Sequence, residues 1–297
     1  MKVTGAALPF LPLCQRLLPD RLPGLPGKLA GVSLALLKAT ALEIAILAGH
    51  LLLYPSGITQ ERRSPGHPVP SPDDGATPQL PTEAKPPVVL LHGFIDNRSV
   101  FVLLRRSLAQ HGRQQIESLN YSPLTCDIRT AAELLGRHIE EICERTGREQ
   151  VDIVGHSLGG LIARYYVQRL GGDLRVRTLV TLGTPHSGTN VVRLANAHPI
   201  VRQMRPGSEL LEELTRPAPG CRTHFVSYWS DLDHLMDPLE TACINHPDLS
   251  VQNVRVSGIG HLALPVHPAV ATGIREVLDT ARTAAEAEAR PGGLTVA

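Results

Sequence analysis

The sequence predicts an α/β fold, a mostly parallel central sheet covered by helices on both faces. Three observations predict it. Short apolar runs alternate with helix-length stretches from residue 87 to residue 284, the pattern left by strands buried on both sides and joined by crossover helices. One run, Val151-Asp152-Ile153-Val154, ends in Gly155-His156-Ser157-Leu158-Gly159-Gly160 and passes into Leu161, Ile162, Tyr165, Tyr166, Val167 and Leu170 at helical spacing, which makes a G-x-S-x-G turn between strand and helix. Other runs are followed directly by glycine-rich or polar segments, as expected where loops at the carboxyl ends of parallel strands carry functional groups.

The first 54 residues differ from the rest. Leu29 to Leu53 is an apolar segment about long enough to cross a bilayer at ~1.5 Å per residue. Lys38, Glu43 and His50 interrupt it, and a charge near the centre of a spanning helix costs roughly 2.5 to 3.5 kcal/mol. Pro9, Pro12, Pro19, Pro23 and Pro26 precede it and no A-x-A-like site closes it, a poor fit to a cleaved signal peptide. Lys2, Arg16, Arg21 and Lys28 ahead of it suit the positive-inside rule. Two expectations follow: membrane attachment or export, with the chain secreted or held at the cell surface, or a helix docked on the catalytic domain or on another copy of it.

Residues 55–86, rich in Pro, Gly, Ser and charge without apolar periodicity, read as an extended linker that cannot bury enough surface to order itself. Residues 87–284 read as one catalytic domain, roughly 200 residues and large enough for a single core. Residues 285–297 read as a loose tail. The 29 basic and 28 acidic residues nearly cancel, with no basic block, which excludes a nucleic-acid partner.

Within the domain, strands are expected at Val88–Leu91, Gln115–Leu119, from Val151 into the elbow, and at Val176–Leu182, Phe225–Tyr228 and Val251–Val256. Helices are expected at Ile128–Cys143, behind the elbow, at Val191–Ala195, Glu209–Leu214 and Val266–Ala281. Only about thirty residues separate Gly188 from Cys221, room for one or two short helices and no large cap domain. Leu194, Ile200, Val201, Met204, Leu210 and Leu211 in that interval read either as an apolar rim for acyl chains or as helix packing on the core.

The chemistry begins at Ser157. A serine hydroxyl is a weak nucleophile until a base takes its proton, and a sharp strand-to-helix turn holds it where base and substrate both reach it. Gly155 and Gly159 relieve the crowding of such a turn. After Val88–Leu91 comes His92-Gly93-Phe94, whose Phe94 amide, with the amide of Leu158, is expected to form an oxyanion hole. Such donors lower a barrier by roughly 3 to 4 kcal/mol because they meet charge that develops only in the transition state.

Of thirteen histidines, His261 is selected as the base because it directly follows the last strand and precedes the last helix; His267 and His246 read as a helix start and a turn. The acid that orients the imidazole is assigned to Asp233 on the loop after Phe225–Tyr228. Asp231 is its competitor, while Asp237, before Pro238, reads as a helix start.

The motifs Leu91-His92-Gly93-Phe94, Gly155-His156-Ser157-Leu158-Gly159-Gly160, Gly183-Thr184-Pro185-His186-Ser187-Gly188 and Gly258-Ile259-Gly260-His261 together resemble bacterial lipases and esterases of the α/β-hydrolase fold. They look like those of actinobacterial triacylglycerol lipases. The order Ser157, Asp233, His261 is the one found in that fold. The resemblance implies hydrolysis of carboxylic esters, with acylglycerols as the expected substrates, through an acyl-serine and without a cofactor. It places His92, Gly93, His156, Thr184, Pro185 and His186 in or just behind the pocket wall. Some relatives bind calcium, but no carboxylate cluster here is assigned to a metal.

Cys221 and Cys243 bracket the Asp233 loop, and a bridge between them would brace it in an oxidising compartment. Cys126 and Cys143, about 25 Å apart if they share one helix, exceed the roughly 7 Å reach of a disulfide, and with Cys14 they are expected to be free. Two other readings stay open: an acyltransferase using the same acyl-serine, and a noncatalytic membrane-associated binding protein on a hydrolase scaffold.

Overall fold

In a computed structural model the runs Val88–Leu91 (β1), Ile116–Leu119 (β2), Val151–His156 (β3), Val176–Leu182 (β4), His224–Ser230 (β5) and Ser250–Val256 (β6) align in one sheet of order β2-β1-β3-β4-β5-β6. Every pairing is parallel. The structure describes residues 34–58, 85–94, 96–121, 127–191 and 198–289. Most of the linker, the expected helix Val191–Ala195 apart from Val191, Cys14, Cys126, Leu194 and residues 290–297 lie outside the described residues.

Helices are α1 (Leu34–Ile58), α2 (Val102–Gln110), α3 (Ile128–Thr146), α4 (Leu158–Arg169), α5 (Pro199–Gln203), α6 (Glu209–Thr215) and α7 (Pro268–Ala289). Asp127 starts α3 by accepting the Thr130 N–H, and Gly147 ends it in the left-handed region at φ 66°. Pro268 opens α7, where its missing N–H is not needed. That helix runs on through Ala- and Glu-rich sequence to Ala289, beyond residue 284, because such residues are strong helix formers. α1 likewise runs four residues past 54, with Pro55 in its last turn. α2 was not anticipated from the sequence: Val102 and Leu103 face solvent, so its apolar spacing follows no single stripe.

Successive strand residues point to opposite faces, and the core divides accordingly. Val89, Leu91, Ile153 and Leu179 pack against Ile128, Leu135, Ile139 and Ile142 of α3 and Leu161, Ile162 and Tyr165 of α4. Val88, Leu90, Val154 and Val180 pack against Leu104 and Leu108 of α2 and Val270, Ile274 and Leu278 of α7. Ile200, Val201, Met204, Leu210 and Leu211 belong to the first of these clusters and are buried, so they are core packing and not an open rim.

The expected Cys221–Cys243 bridge is not formed, and both side chains are free thiols. Ser227 Oγ donates to the Ala242 carbonyl at 2.6 Å, which holds Cys243 beside the middle of β5.

The amino end of the sheet holds a buried ion cluster. Asp152, fully buried in β3, takes Arg113 Nη1 at 2.9 Å and Arg177 Nη2 at 2.7 Å. Removing the acid leaves two cations facing low-dielectric surroundings, which costs about 3 to 5 kcal/mol. Asp152→Ala is therefore expected to lower the thermal midpoint by several degrees in a melt followed by circular dichroism.

Candidate active site

Ser157, Asp233, His261 and Phe94 all sit at the carboxyl end of the sheet, and the elbow fixes their frame. Ser157, between β3 and α4, has φ 53° and ψ −119°, and it is the one non-glycine residue with positive φ among the described residues. Its N–H donates to the Leu182 carbonyl at 2.9 Å, and its carbonyl accepts from Thr184 Oγ1 at 3.0 Å. The turn closes because the positions around it lack side chains. A Cβ on Gly159 would lie 2.3 Å from the Leu91 carbonyl oxygen, and one on Gly160 would lie 2.0 Å from Thr184 Oγ1.

His261 and Asp233 meet on the loops after β6 and β5. Asp233 Oδ2 lies 2.8 Å from His261 Nδ1, and both side chains are buried. Gly183 makes room for the pair: a Cβ there would come within 2.9 Å of both partners. Asp231 is turned away, accepting from Arg255 Nη2 at 3.0 Å and from the Gly258 N–H at 3.2 Å, and Asp237 is exposed. Burial opposes charging the His261 imidazole, but the Asp233 carboxylate, with Glu43 and Asp96 farther off, outweighs it and holds the ring above the usual histidine range.

His156, the residue before Ser157, packs against this pair. Its ring stands 4.7 Å from that of His261, and its Nε2 lies 3.3 Å from the His261 carbonyl oxygen. Its Nδ1 faces Asp96 Oδ2 at 3.5 Å. The loop carrying Phe94 closes on the same corner, since a Cβ on Gly93 would lie 3.4 Å from Ser157 Cβ and 3.1 Å from Asp96 Oδ2. Phe94 itself is half-buried, with the edge of its ring toward His198. Leu158 is fully buried at the first position of α4.

The other motif residues act as braces. His92 stacks on Tyr121 at 4.3 Å, Tyr121 Oη donates to the His92 carbonyl, and burial lowers the basicity of the ring. His186 is buried behind the site, with Nε2 at 2.9 Å from Thr181 Oγ1. Burial first, then the Arg164 charge, holds it well below the ordinary range, so it stays neutral. Pro185 closes the same turn by accepting the Gly188 N–H at 2.9 Å.

Three residues went unmarked as site residues in the sequence. Asp96 lies between His156 and His50, and although burial disfavours its charge, those histidines together with His92 hold its carboxyl below the usual range. Tyr121 braces the loop that carries Phe94, and Glu43 reaches in from α1. Only the "HGF-x-D" spacing gave any local hint of Asp96. Among the described residues no group of three or more His, Cys, Asp or Glu is arranged to hold a metal ion.

Residues 86–216 match the family described as alpha/beta hydrolase fold. Over 111 residues the chain is 31% identical to a triacylglycerol lipase of Pseudarthrobacter phenanthrenivorans, a match covering 35% of this chain and 34% of that one, so the chain spans about a third of that relative's length. Aspergillus fumigatus lipase B superposes with a TM-score of 0.61 at 18% identity, covering 79% of this chain and 68% of that one. The mature form of a Bacillus licheniformis lipase superposes at 0.58 and 17% identity, covering 69% and 96%. The fold is the α/β-hydrolase fold, a parallel sheet flanked by helices.

Because the folded pKa of His261 is raised, its protonated form persists to higher pH than in the unfolded chain. The stability this lends is complete below about pH 6.5 and is lost as pH rises through the folded value. In an NMR titration of the ring protons the His261 midpoint is expected above that of a free histidine. Asp233→Asn should bring it down, whereas Asp231→Asn should leave it in place.

Proposed function

We propose that this protein is a serine hydrolase that cleaves carboxylic esters of lipid type, acylglycerols foremost, through an acyl-enzyme. The observation that carries the reading is a strained serine at a strand-to-helix turn, next in sequence to His156, whose ring packs 4.7 Å from a buried imidazole with its Nδ1 held 2.8 Å from a carboxylate. Its support also includes the lipases among the relatives and structural neighbours.

With Asp233 accepting from Nδ1–H, the Nε2 lone pair of His261 is left to act as base. Ser157 Oγ attacks the ester carbonyl carbon as its proton passes to Nε2, and the carbonyl oxygen, now negative, turns to the amides of Phe94 and Leu158. Collapse of this adduct breaks the C–O bond, and the alcohol leaves with the proton from His261. Water then attacks the acyl-serine, gives its proton to Nε2, and releases the acid with the serine restored. Asp233 stays ionised throughout and steadies the imidazolium.

A lipid surface as the place of work is part of the same proposal. Leu37–Gly57 on α1 is long and apolar enough to cross a membrane, with mean hydropathy 1.4 and only 11% of the window buried. Its free face exposes Leu37, Ile44, Leu51 and Leu52, each of which gains about 1 to 2 kcal/mol when taken out of water. Because Glu43 on the opposite face is bonded into the catalytic domain, we place α1 on the lipid surface, its apolar side down, with the domain seated on it.

Hydrolysis of p-nitrophenyl esters of increasing chain length should favour acyl chains over acetate. Ser157→Ala should abolish it together with labelling by a fluorophosphonate; wild-type rates in that variant would sink the mechanism. Charged substitutions at Ile44 and Leu52 should release the protein from anionic lipid vesicles in a flotation assay.

A further inference from the structure

Two of the three residues that interrupt the apolar N-terminal segment, Glu43 and His50, face the catalytic domain, whereas Lys38 is exposed. Along α1, Ala39, Glu43, Ile46, His50 and Gly57 recur every three, four or seven residues on the covered face, and Ile46 packs on the core behind β1 and α7. His50 faces Asp96 at 3.7 Å. Tyr54 and Ser56 give their carbonyls to Asn97 Nδ2 and Arg98 Nη2.

Glu43 goes further into the site than the others. Its Oε2 accepts the Leu262 N–H and its Oε1 accepts the Ala263 N–H, both at 2.9 Å. These are the two residues directly after His261. Gly260, directly before it, leaves space for the approach: a Cβ there would lie 2.5 Å from Glu43 Cδ. One carboxylate thus takes two backbone donors across about 220 residues of sequence, in charge-assisted bonds roughly twice as strong as neutral ones. The His261 loop is fastened twice, through the ring by Asp233 and through the main chain by Glu43.

We propose that Glu43 is a positioning residue for His261, so that α1, a segment outside the sheet-forming domain, completes the active site by fixing the backbone on which the base stands. The proposal rests on the reading of Ser157, Asp233 and His261 as a catalytic triad. The carboxylates that act on His261 are Asp233, Glu43 and Asp96, and the His156 ring packs beside it. Glu43 therefore contributes charge as well as geometry, and each carboxylate favours the imidazolium that forms when the serine gives up its proton. A helix held by lipid on one side and by this carboxylate on the other ties the order of the catalytic loop to the seating of the protein on its surface.

Full-length wild type, Glu43→Gln, Glu43→Ala and Ser157→Ala, assayed on a soluble short-chain ester across pH with hydrogen exchange of the 257–267 segment, test this. Glutamine keeps the shape and one acceptor oxygen but turns an NH2 toward the second backbone N–H and removes the charge. Glu43→Gln is expected to lower kcat about tenfold through loss of orientation, with little change in KM. The acid-side midpoint of kcat/KM, which reports the free base, should move to lower pH, and the Leu262 and Ala263 amides should exchange faster. Glu43→Ala should repeat these effects where it folds; the isosteric variant decides the matter where it does not. A Glu43→Gln protein with a lowered thermal midpoint but wild-type kcat, acid midpoint and amide exchange overturns the proposal. Loss of activity in Ser157→Ala with an unaffected Glu43→Gln overturns the positioning role alone, whereas an active Ser157→Ala removes the triad reading beneath it.

Discussion

One backbone constraint organises the site: Ser157 is held in the left-handed half of conformational space between β3 and α4. A non-glycine residue placed there costs of order 1 to 3 kcal/mol and persists only where its surroundings over-determine it. Here they do. The Leu182 carbonyl takes its N–H, Thr184 holds its carbonyl, and the glycines beside it let α4 lie directly against the carbonyls of Leu91 and His92. Tyr121 and His92 stack beneath the loop that carries Phe94, which lies close against Ser157.

The two ends of the sheet use charge in opposite ways. At the amino end Asp152 is matched by Arg113 and Arg177, and their charges are neutralised in place, a cluster that serves cohesion. At the carboxyl end Asp233, Asp96 and Glu43 surround imidazoles, and among the described residues no arginine or lysine is ion-paired with them. Carboxylate charge near a buried ring makes the imidazolium less costly, which suits the general-base role proposed for His261. His186, set behind the site beside Arg164, experiences the reverse and stays neutral. Two buried histidines, one a few residues past β4 and the other past β6, thus acquire opposite character from their surroundings alone.

The strands and the elbow were legible because their signals are local. Val88–Leu91 and Val176–Leu182 are recovered with their expected bounds, and β5 and β6 start one residue earlier than expected. α2 escaped because its first turn exposes Val102 and Leu103, which breaks the apolar stripe on which a helix is recognised. The expected bridge is absent because bracketing the Asp233 loop in sequence does not bring its two cysteines together in space. Ile200, Met204 and Leu211 could equally have been rim or core from their composition. Only their burial in one cluster, with α6 packed on α4 and α5 on α6, settled them.

The N-terminal segment shows most clearly where sequence stops. Its apolar length, and the charges that spoil it as a membrane span, are written in the chain from Leu29 to Leu53, as are the G-x-S-x-G turn, the strand alternation and the candidates Asp233 and His261. Those properties depend on neighbours within a few residues, so periodicity and motif determine them. The tertiary structure alone decided that Asp233 and not Asp231 faces His261, that Asp96 joins the site, and that Glu43 is turned inward to the His261 loop while the leucines of the same helix face out. Each of these is a meeting of side chains tens to hundreds of residues apart, and which of several equivalent carboxylates makes it depends on the register of the strands and the seating of the helices.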